Sequence, residues 1–66
     1  MNGRITRLLV DKGFGFIQDA EGTEYFFHRS AVEGADFRLL AEGQTVIFDP
    51  EEGQKGPRAA NVKVQG

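Results

Sequence analysis

The fold is decided by two stretches of sequence, Lys-Gly-Phe-Gly-Phe-Ile at residues 12–17 and Tyr-Phe-Phe-His-Arg-Ser at residues 25–30. Successive side chains of a β-strand point to opposite faces of the sheet. Phe14 and Phe16 therefore share one face of a strand, and Phe26 and His28 share one face of the next. The glycine-bearing turn at residues 20–22 connects these two strands.

The rest of the chain predicts an all-β fold, because glycines recur between short apolar runs and helical periodicity is absent. We predict one domain over residues 1–66, with strands at about 3–10, 13–19, 23–28, 44–50 and 57–64. A helical turn is expected at residues 30–32 and a longer connection at 33–43. Closing the sheet into a barrel would suit a chain with so small a core.

Alternation along the strands assigns most of the core. Tyr25 and Phe27 point away from Phe26. The predicted interior consists of Ile17, Tyr25, Phe27, Val46, Phe48 and Val62. In the first strand residues 8–10 read Leu-Leu-Val, a continuous apolar run, so alternation does not assign their faces.

Three phenylalanines are left outside this core, namely Phe14, Phe16 and Phe26. On neighbouring strands they would form an apolar patch that a monomer would not keep for stability alone. Rings held outward on a sheet, with cations beside them, are what stacking on unpaired bases requires. Gly13 and Gly15 are expected to leave room for a flat ligand to approach the backbone.

Composition excludes several classes of protein. The chain has no cysteine and a single histidine, so disulfides, thiolate metal sites and structural zinc are excluded, and we expect no cofactor and no metal. The net charge of −2 argues against binding duplex DNA mainly by neutralising phosphates, although it is compatible with single-strand binding. The apolar runs are too short for a membrane span or a secretory signal, which predicts a cytoplasmic protein.

The two aromatic stretches resemble the RNA-binding motifs of bacterial cold-shock proteins: residues 12–17 resemble the first motif and residues 26–32 the second. Residues 42–48, 55–57 and 60–62 also follow this family, so the likeness covers nearly the whole chain. The resemblance implies a five-stranded antiparallel barrel of the OB-fold type, of the kind found in the cold-shock domain. It also implies binding to single-stranded RNA or DNA. We expect a monomer that acts as an RNA chaperone or a modulator of transcription or translation.

Carried over by position, the resemblance implies nucleic-acid contacts in both motifs and in two loops, by Lys12, Phe14, Phe16, Phe26, His28, Phe37 and Pro57. Arg29 stands where the family usually has an aromatic residue, and its planar guanidinium can stack on a base or reach a phosphate. Lys55, in the turn before Pro57, is a further candidate. The chain lacks the family's Lys-Trp-Phe segment, and its connection between the first two strands is correspondingly shorter.

Each of these signals also has a simpler interpretation. The three outer phenylalanines could belong to the core, His28 could be structural, and Lys12 and Arg29 could be solvated charges. No nucleophile and base stand at useful spacing, so neither an enzyme nor a small-molecule substrate is expected. The alternative function is an OB-type module that binds a protein partner or itself, with weakened affinity for nucleic acid.

Overall fold

Five strands form a closed barrel in the computed structural model, which describes residues 1–34, 36–54 and 56–65. The strands are β1 (Asn2–Leu9), β2 (Phe14–Gln18), β3 (Glu24–His28), β4 (Thr45–Gly53) and β5 (Gly56–Val64). Short 3₁₀ turns at Arg29–Ala31 and Phe37–Leu39 lie between β3 and β4. The predicted all-β barrel is confirmed, and β4 runs farther than expected because it pairs with β5 as far as Gly53.

The strands are arranged in the order β1-β2-β3-β5-β4 around the barrel. Neighbouring strands pair in antiparallel fashion, except that β3 meets β5 in parallel where Phe26 lies opposite Arg58. This short parallel contact closes the barrel beside the outer aromatic residues. Within the described residues, no helix is long and apolar enough to cross a membrane.

The barrel interior contains every residue that alternation placed there. Phe27, Ile17, Val46 and Val62 are fully buried, and Tyr25 lies 4.9 Å from Phe48 between ring centroids. Four further residues complete the core, namely Ile5, Phe37, Leu40 and Ala59. Buried apolar area of this kind is the main stabilising contribution available to a chain of 66 residues without disulfides.

A β-bulge in β1 explains why its apolar run could not be assigned from the sequence. The register with β2 shifts between Ile5 and Arg7, so that Arg7 lies opposite Phe16 and Leu8 lies opposite Gly15. Leu8 consequently packs against the core, although it is an odd number of residues from buried Ile5. A bulge inserts one residue and thereby inverts the alternation beyond it.

Gly15 is required by core packing and not by ligand access, which corrects the expectation from the sequence. A Cβ atom on Gly15 would lie 2.7 Å from the carbonyl oxygen of Arg7 and 2.9 Å from the ring of Phe27. The space beside this glycine is therefore filled by the Phe27 ring from within the barrel. Its absent side chain lets β1 and the core approach β2 closely.

The β2–β3 turn is held by the carboxylate of Asp19. One oxygen accepts hydrogen bonds from the backbone N–H groups of Glu21 (2.9 Å) and Thr23 (3.0 Å), and the other accepts from the Tyr25 hydroxyl at 3.1 Å. Desolvation tends to raise the pKa of Asp19, but these hydrogen bonds outweigh it and hold the pKa below its ordinary value. Desolvation and the bond to Asp19 raise the pKa of Tyr25. The turn fixes the register of the two strands that carry the outer phenylalanines.

Candidate nucleic-acid interface

Three phenylalanine rings lie against one another outside the core, and we call Phe14, Phe16 and Phe26 the aromatic cluster. Phe16 stands directly opposite Phe26 across the β2–β3 pair, and Phe14 stands opposite His28. The ring centroid of Phe26 is 5.3 Å from that of Phe14 and 6.0 Å from that of Phe16. All three residues are half-buried. Phe27, which pairs with Gly15 on the opposite face of the same two strands, is fully buried.

The rings of the aromatic cluster are not parallel. The Phe14 and Phe16 planes meet at 89°, and those of Phe16 and Phe26 at 71°. Edge-to-face contacts at these distances are favourable for aromatic pairs. The cluster therefore offers ring surfaces that face different directions, to which a flexible ligand with several flat groups can conform.

His28 lies at the end of β3 and caps the first 3₁₀ turn. Its Nδ1 accepts a hydrogen bond from the backbone N–H of Ser30 at 3.2 Å and lies 3.0 Å from the Ser30 hydroxyl. The residue is exposed and shares the outer face with Phe14, its cross-strand neighbour. The imidazole is thus held at one edge of the aromatic cluster.

Two cationic residues predicted to contact nucleic acid lie near the β1–β2 turn. Lys12 lies in this turn, where its backbone N–H bonds to the carbonyl of Leu9 at 3.0 Å, and its side chain is exposed. Arg29 follows β3, and its backbone N–H bonds to the carbonyl of Gly13 at 2.9 Å. The tertiary structure therefore brings Lys12 and Arg29 together although they are distant in sequence.

Gly13 does not leave room for a ligand, contrary to the expectation from the sequence. A Cβ on this residue would lie 3.3 Å from Cδ of Arg29, whose aliphatic stem covers the glycine. Its φ of +77° is in the left-handed region, which glycine adopts without a steric penalty. Gly13 therefore serves to turn the chain and to seat the Arg29 side chain.

A groove of about 730 Å³ separates the aromatic cluster from the β4–β5 hairpin. Phe16 and Phe26 form one wall; the other is formed by Glu52, Gly53, Gln54, Gly56, Pro57 and Arg58. Pro57 is exposed on this wall, so the structure places it beside the cluster. The volume lies within the range typical of ligand sites, and the groove is large enough for a nucleobase.

Arg58 and Arg7 are further neighbours of the aromatic cluster and lie outside the two motifs. Arg58 stands opposite Phe26, and its Cδ lies 3.0 Å from the position of a Cβ on Gly53, so its stem packs over that glycine. Arg7 stands opposite Phe16. No local sequence signal identifies either residue, because one position depends on the β3–β5 register and the other on the bulge in β1.

The charge around the groove is mixed. Nε of Arg58 lies 3.9 Å from a carboxylate oxygen of Glu51, and both side chains are about half exposed, at 50% and 54%. A long, solvated ion pair of this kind stabilises little, so it does not prevent the guanidinium from moving to a phosphate. The described residues contain no group of three His, Cys, Asp or Glu side chains placed to hold a metal ion.

Phe37 does not belong to this surface. It is 6% exposed, and its ring packs edge-on against Phe27 with centroids 5.9 Å apart. The expectation that Phe37 offers a face for stacking is therefore corrected: the second 3₁₀ turn directs the ring into the barrel. Lys55, the remaining candidate, lies outside the described residues.

Comparisons with known proteins agree with this architecture. The family model for the 'Cold-shock' DNA-binding domain matches residues 1–65. Cold shock protein 2 of Lactiplantibacillus plantarum is 47% identical over 64 residues, and the alignment covers 97% of each chain. The cold shock-like protein of Thermotoga maritima is 48% identical with the same coverage. The major cold shock protein of Streptococcus pyogenes serotype M6 is 47% identical over 60 residues, covering 91% of this chain and 90% of the relative.

A solved structure described as drosophila Unr CSD456 shares the fold. Its TM-score is 0.76 at 24% sequence identity, and the match covers 98% of this chain and 26% of that chain. The chain belongs to the cold-shock domain family, as its two motifs indicated. Proteins of this family generally bind single-stranded nucleic acids.

Proposed function

We propose that this member of the cold-shock domain family binds single-stranded RNA or DNA by stacking bases on Phe14, Phe16 and Phe26. The observation that carries the proposal is the aromatic cluster itself, three half-buried rings in mutual contact outside the barrel core. Half-buried apolar rings stabilise the fold less than fully buried ones do. An exposed apolar patch of this kind is typical of a binding site.

Four cations near the aromatic cluster support contact with a strand's backbone. Lys12 lies in the β1–β2 turn, the Arg29 side chain covers Gly13 of that turn, and Arg7 and Arg58 stand opposite Phe16 and Phe26. A strand whose bases stack on the rings would bring its phosphates toward these side chains. Because the chain as a whole has a net charge of −2, attraction is local, and stacking must supply most of the affinity.

The affinity follows from the number of rings. Stacking contributes about 1–3 kcal/mol per base by alanine substitution, so the loss of all three rings would weaken binding by about 3–9 kcal/mol. Phosphate contacts and the groove beside Pro57 add to this sum. We therefore expect dissociation constants in the micromolar range or somewhat tighter, about −8 kcal/mol.

The biological mechanism that we propose is that bound bases are kept from pairing. A strand held with its bases on the aromatic cluster cannot use them for pairing, so binding shifts the equilibrium of a weak hairpin toward its open form. The shift needs no ATP, because it follows from mass action alone. This supports a role as an RNA chaperone, or as a modulator of transcription or translation through the structure of the transcript.

The proposal is tested by titrating the protein into fluorescently labelled heptathymidine and into the corresponding duplex, with anisotropy as the readout. Wild-type protein should bind the single strand and leave the duplex free, since paired bases cannot reach the rings. Phe14→Ala should weaken single-strand binding, whereas Ile47→Ala, an exposed apolar residue on β4, should not. Equal affinity for single strand and duplex would contradict the proposal.

Size-exclusion chromatography of the same samples addresses the alternative function. A monomer that shifts to a larger species only with the oligonucleotide is the expected result. Self-association without oligonucleotide, lost on Phe14→Ala, would instead indicate that the aromatic cluster is a protein interface. The monomeric state and the cytoplasmic location remain predictions from the sequence.

A further inference from the structure

The turn that follows β3 fixes the protonation pattern of the His28 ring. The backbone N–H of Ser30 points at Nδ1 at 3.2 Å, with the Ser30 hydroxyl at 3.0 Å from the same nitrogen. A backbone amide can only donate, so Nδ1 is the acceptor and carries no proton in this arrangement. In a neutral imidazole the proton then lies on the other nitrogen, Nε2.

The Nε2–H group faces away from that turn. The two ring nitrogens lie on different edges of the imidazole, and His28 is exposed. Among residues 1–34, 36–54 and 56–65, none of the side-chain hydrogen bonds involves Nε2. His28 therefore presents a hydrogen-bond donor to solvent, beside Phe14 and at the edge of the aromatic cluster.

We propose that His28 is held as the Nε2–H tautomer and donates this N–H to an acceptor oxygen of the bound strand. The oxygen is either a base carbonyl or a backbone phosphate oxygen, both of which accept from a neutral imidazole. The inference rests on the proposed function, because it requires a strand on the aromatic cluster. It adds a directional contact to a surface whose stacking interactions discriminate little among bases.

Fixing the tautomer before binding has a physical consequence. An imidazole that is free to exchange its proton presents either a donor or an acceptor, and it adapts to whichever group the ligand offers. With Nδ1 occupied by the Ser30 amide, His28 offers a donor alone. At the position beside Phe14 the site then favours oxygen acceptors over amino groups, which are themselves donors.

The tautomer is tested by NMR on the free protein, without any ligand. The chain has one histidine, so a long-range ¹H–¹⁵N correlation spectrum at pH 8 gives the His28 nitrogens without ambiguity. We expect a protonated signal for Nε2 and an unprotonated signal for Nδ1. Ser30→Ala keeps the backbone donor and should leave this pattern unchanged. A predominant Nδ1–H form, or an exchange-averaged pair of signals, would overturn the assignment.

The donor role is tested by binding, with His28→Phe as the variant that keeps a flat ring and removes the N–H. We expect this variant to bind heptathymidine about fivefold more weakly, the effect of one hydrogen bond. Difluorotoluene replaces thymine without carbonyl acceptors, and methylphosphonate linkages remove phosphate oxygens one at a time. The substitution that abolishes the difference between wild type and His28→Phe identifies the oxygen that His28 contacts.

The outcomes are distinguishable. If wild-type protein binds heptathymidine but His28→Phe binds equally well, the donor role is wrong and the proposed function stands. If the difference persists on every modified oligonucleotide, the contact is not to an acceptor oxygen, and the inference is again overturned. If wild-type protein does not bind the single strand, the proposed function fails together with the donor role, while the NMR result on the tautomer is unaffected.

Discussion

Replacing Phe26 provides the sharpest test of the aromatic cluster, because this residue contacts both other rings and lines the groove toward Pro57. In Phe26→Ala the stacking surface of one base is lost, at a cost of about 1–3 kcal/mol in binding. That corresponds to affinity about 5- to 150-fold weaker. Binding is measured by anisotropy with labelled heptathymidine.

The same substitution also removes a half-buried ring, so its effect on stability must be separated from its effect on binding. Phe→Ala at a fully buried site lowers the free energy of unfolding by about 3–5 kcal/mol, and we expect about half of that for Phe26. Unfolding of a domain of 66 residues requires about 3–10 kcal/mol, so the variant should still fold at 25 °C. Thermal denaturation followed by circular dichroism checks this directly.

Phe26→Leu serves as the matched variant. Leucine keeps most of the apolar contact with Phe14 and Phe16 but has no flat π surface, so stability should change by about 1 kcal/mol or less while binding weakens nearly as much as in Phe26→Ala. If both variants fold and bind heptathymidine as tightly as the wild type does, the stacking hypothesis is refuted. Weakening in Phe26→Ala alone would show that apolar contact, and not stacking, supplies the affinity.

Three further predictions concern packing, charge and pH. Gly15→Ala should lower the free energy of unfolding by about 1–3 kcal/mol, measured by urea denaturation, because the new Cβ would lie 2.9 Å from the Phe27 ring. Arg58→Gln should weaken single-strand binding and make the slope of log affinity against log salt shallower by about 0.7, the loss of one phosphate contact. Asp19→Asn should destabilise the protein at neutral pH and progressively less as the solution is acidified. The folded pKa of Asp19 is lowered, so its contribution is present above the ordinary value of 3.8 and is lost as the pH falls through the folded pKa. For Tyr25, whose folded pKa is raised, the sign is opposite. Its contribution to the free energy of unfolding is fully present below the ordinary pKa of 10.0 and is lost as the pH rises through the folded pKa.

Each of these predictions has a contradicting result. Unchanged stability of Gly15→Ala would mean that β1 and the core can move apart freely. Lys63→Gln is the matched control, because it removes the same charge from β5 at a position away from the groove, where Nζ of Lys63 lies 4.0 Å from a carboxylate oxygen of Glu33. If Lys63→Gln changes the salt slope as much as Arg58→Gln does, a specific phosphate contact by Arg58 is ruled out. A stability difference between wild type and Asp19→Asn that is constant from neutral to acid pH would exclude a role for the ionised carboxylate.

Sequence reasoning succeeded where the governing interaction is local. In β2 and β3 the side chains alternate with a period of two, so the buried positions of Ile17 and Phe27 could be predicted without knowing the partners of either strand. The helical turn was placed within one residue of the observed Arg29–Ala31. Turn-forming glycines set the number of strands in the same way.

It failed where a residue's surroundings come from distant parts of the chain. Phe37 was expected at the surface, but it packs on Phe27 in the core. The position of Arg58 opposite Phe26 was not predicted, because it depends on the β3–β5 register. Gly13 and Gly15 were read as space for a ligand, whereas the Arg29 stem and the Phe27 ring fill that space. The bulge in β1 was also invisible, because inverted alternation in one strand resembles a continuous apolar run.

The amino-acid sequence by itself determined the family, the number of strands and which faces of β2 and β3 are apolar, because motif spacing and side-chain alternation are properties of neighbouring residues. Only the tertiary structure decided which cations and which hairpin surround the aromatic cluster. Those relations depend on barrel closure and on the β3–β5 register, neither of which a linear pattern specifies.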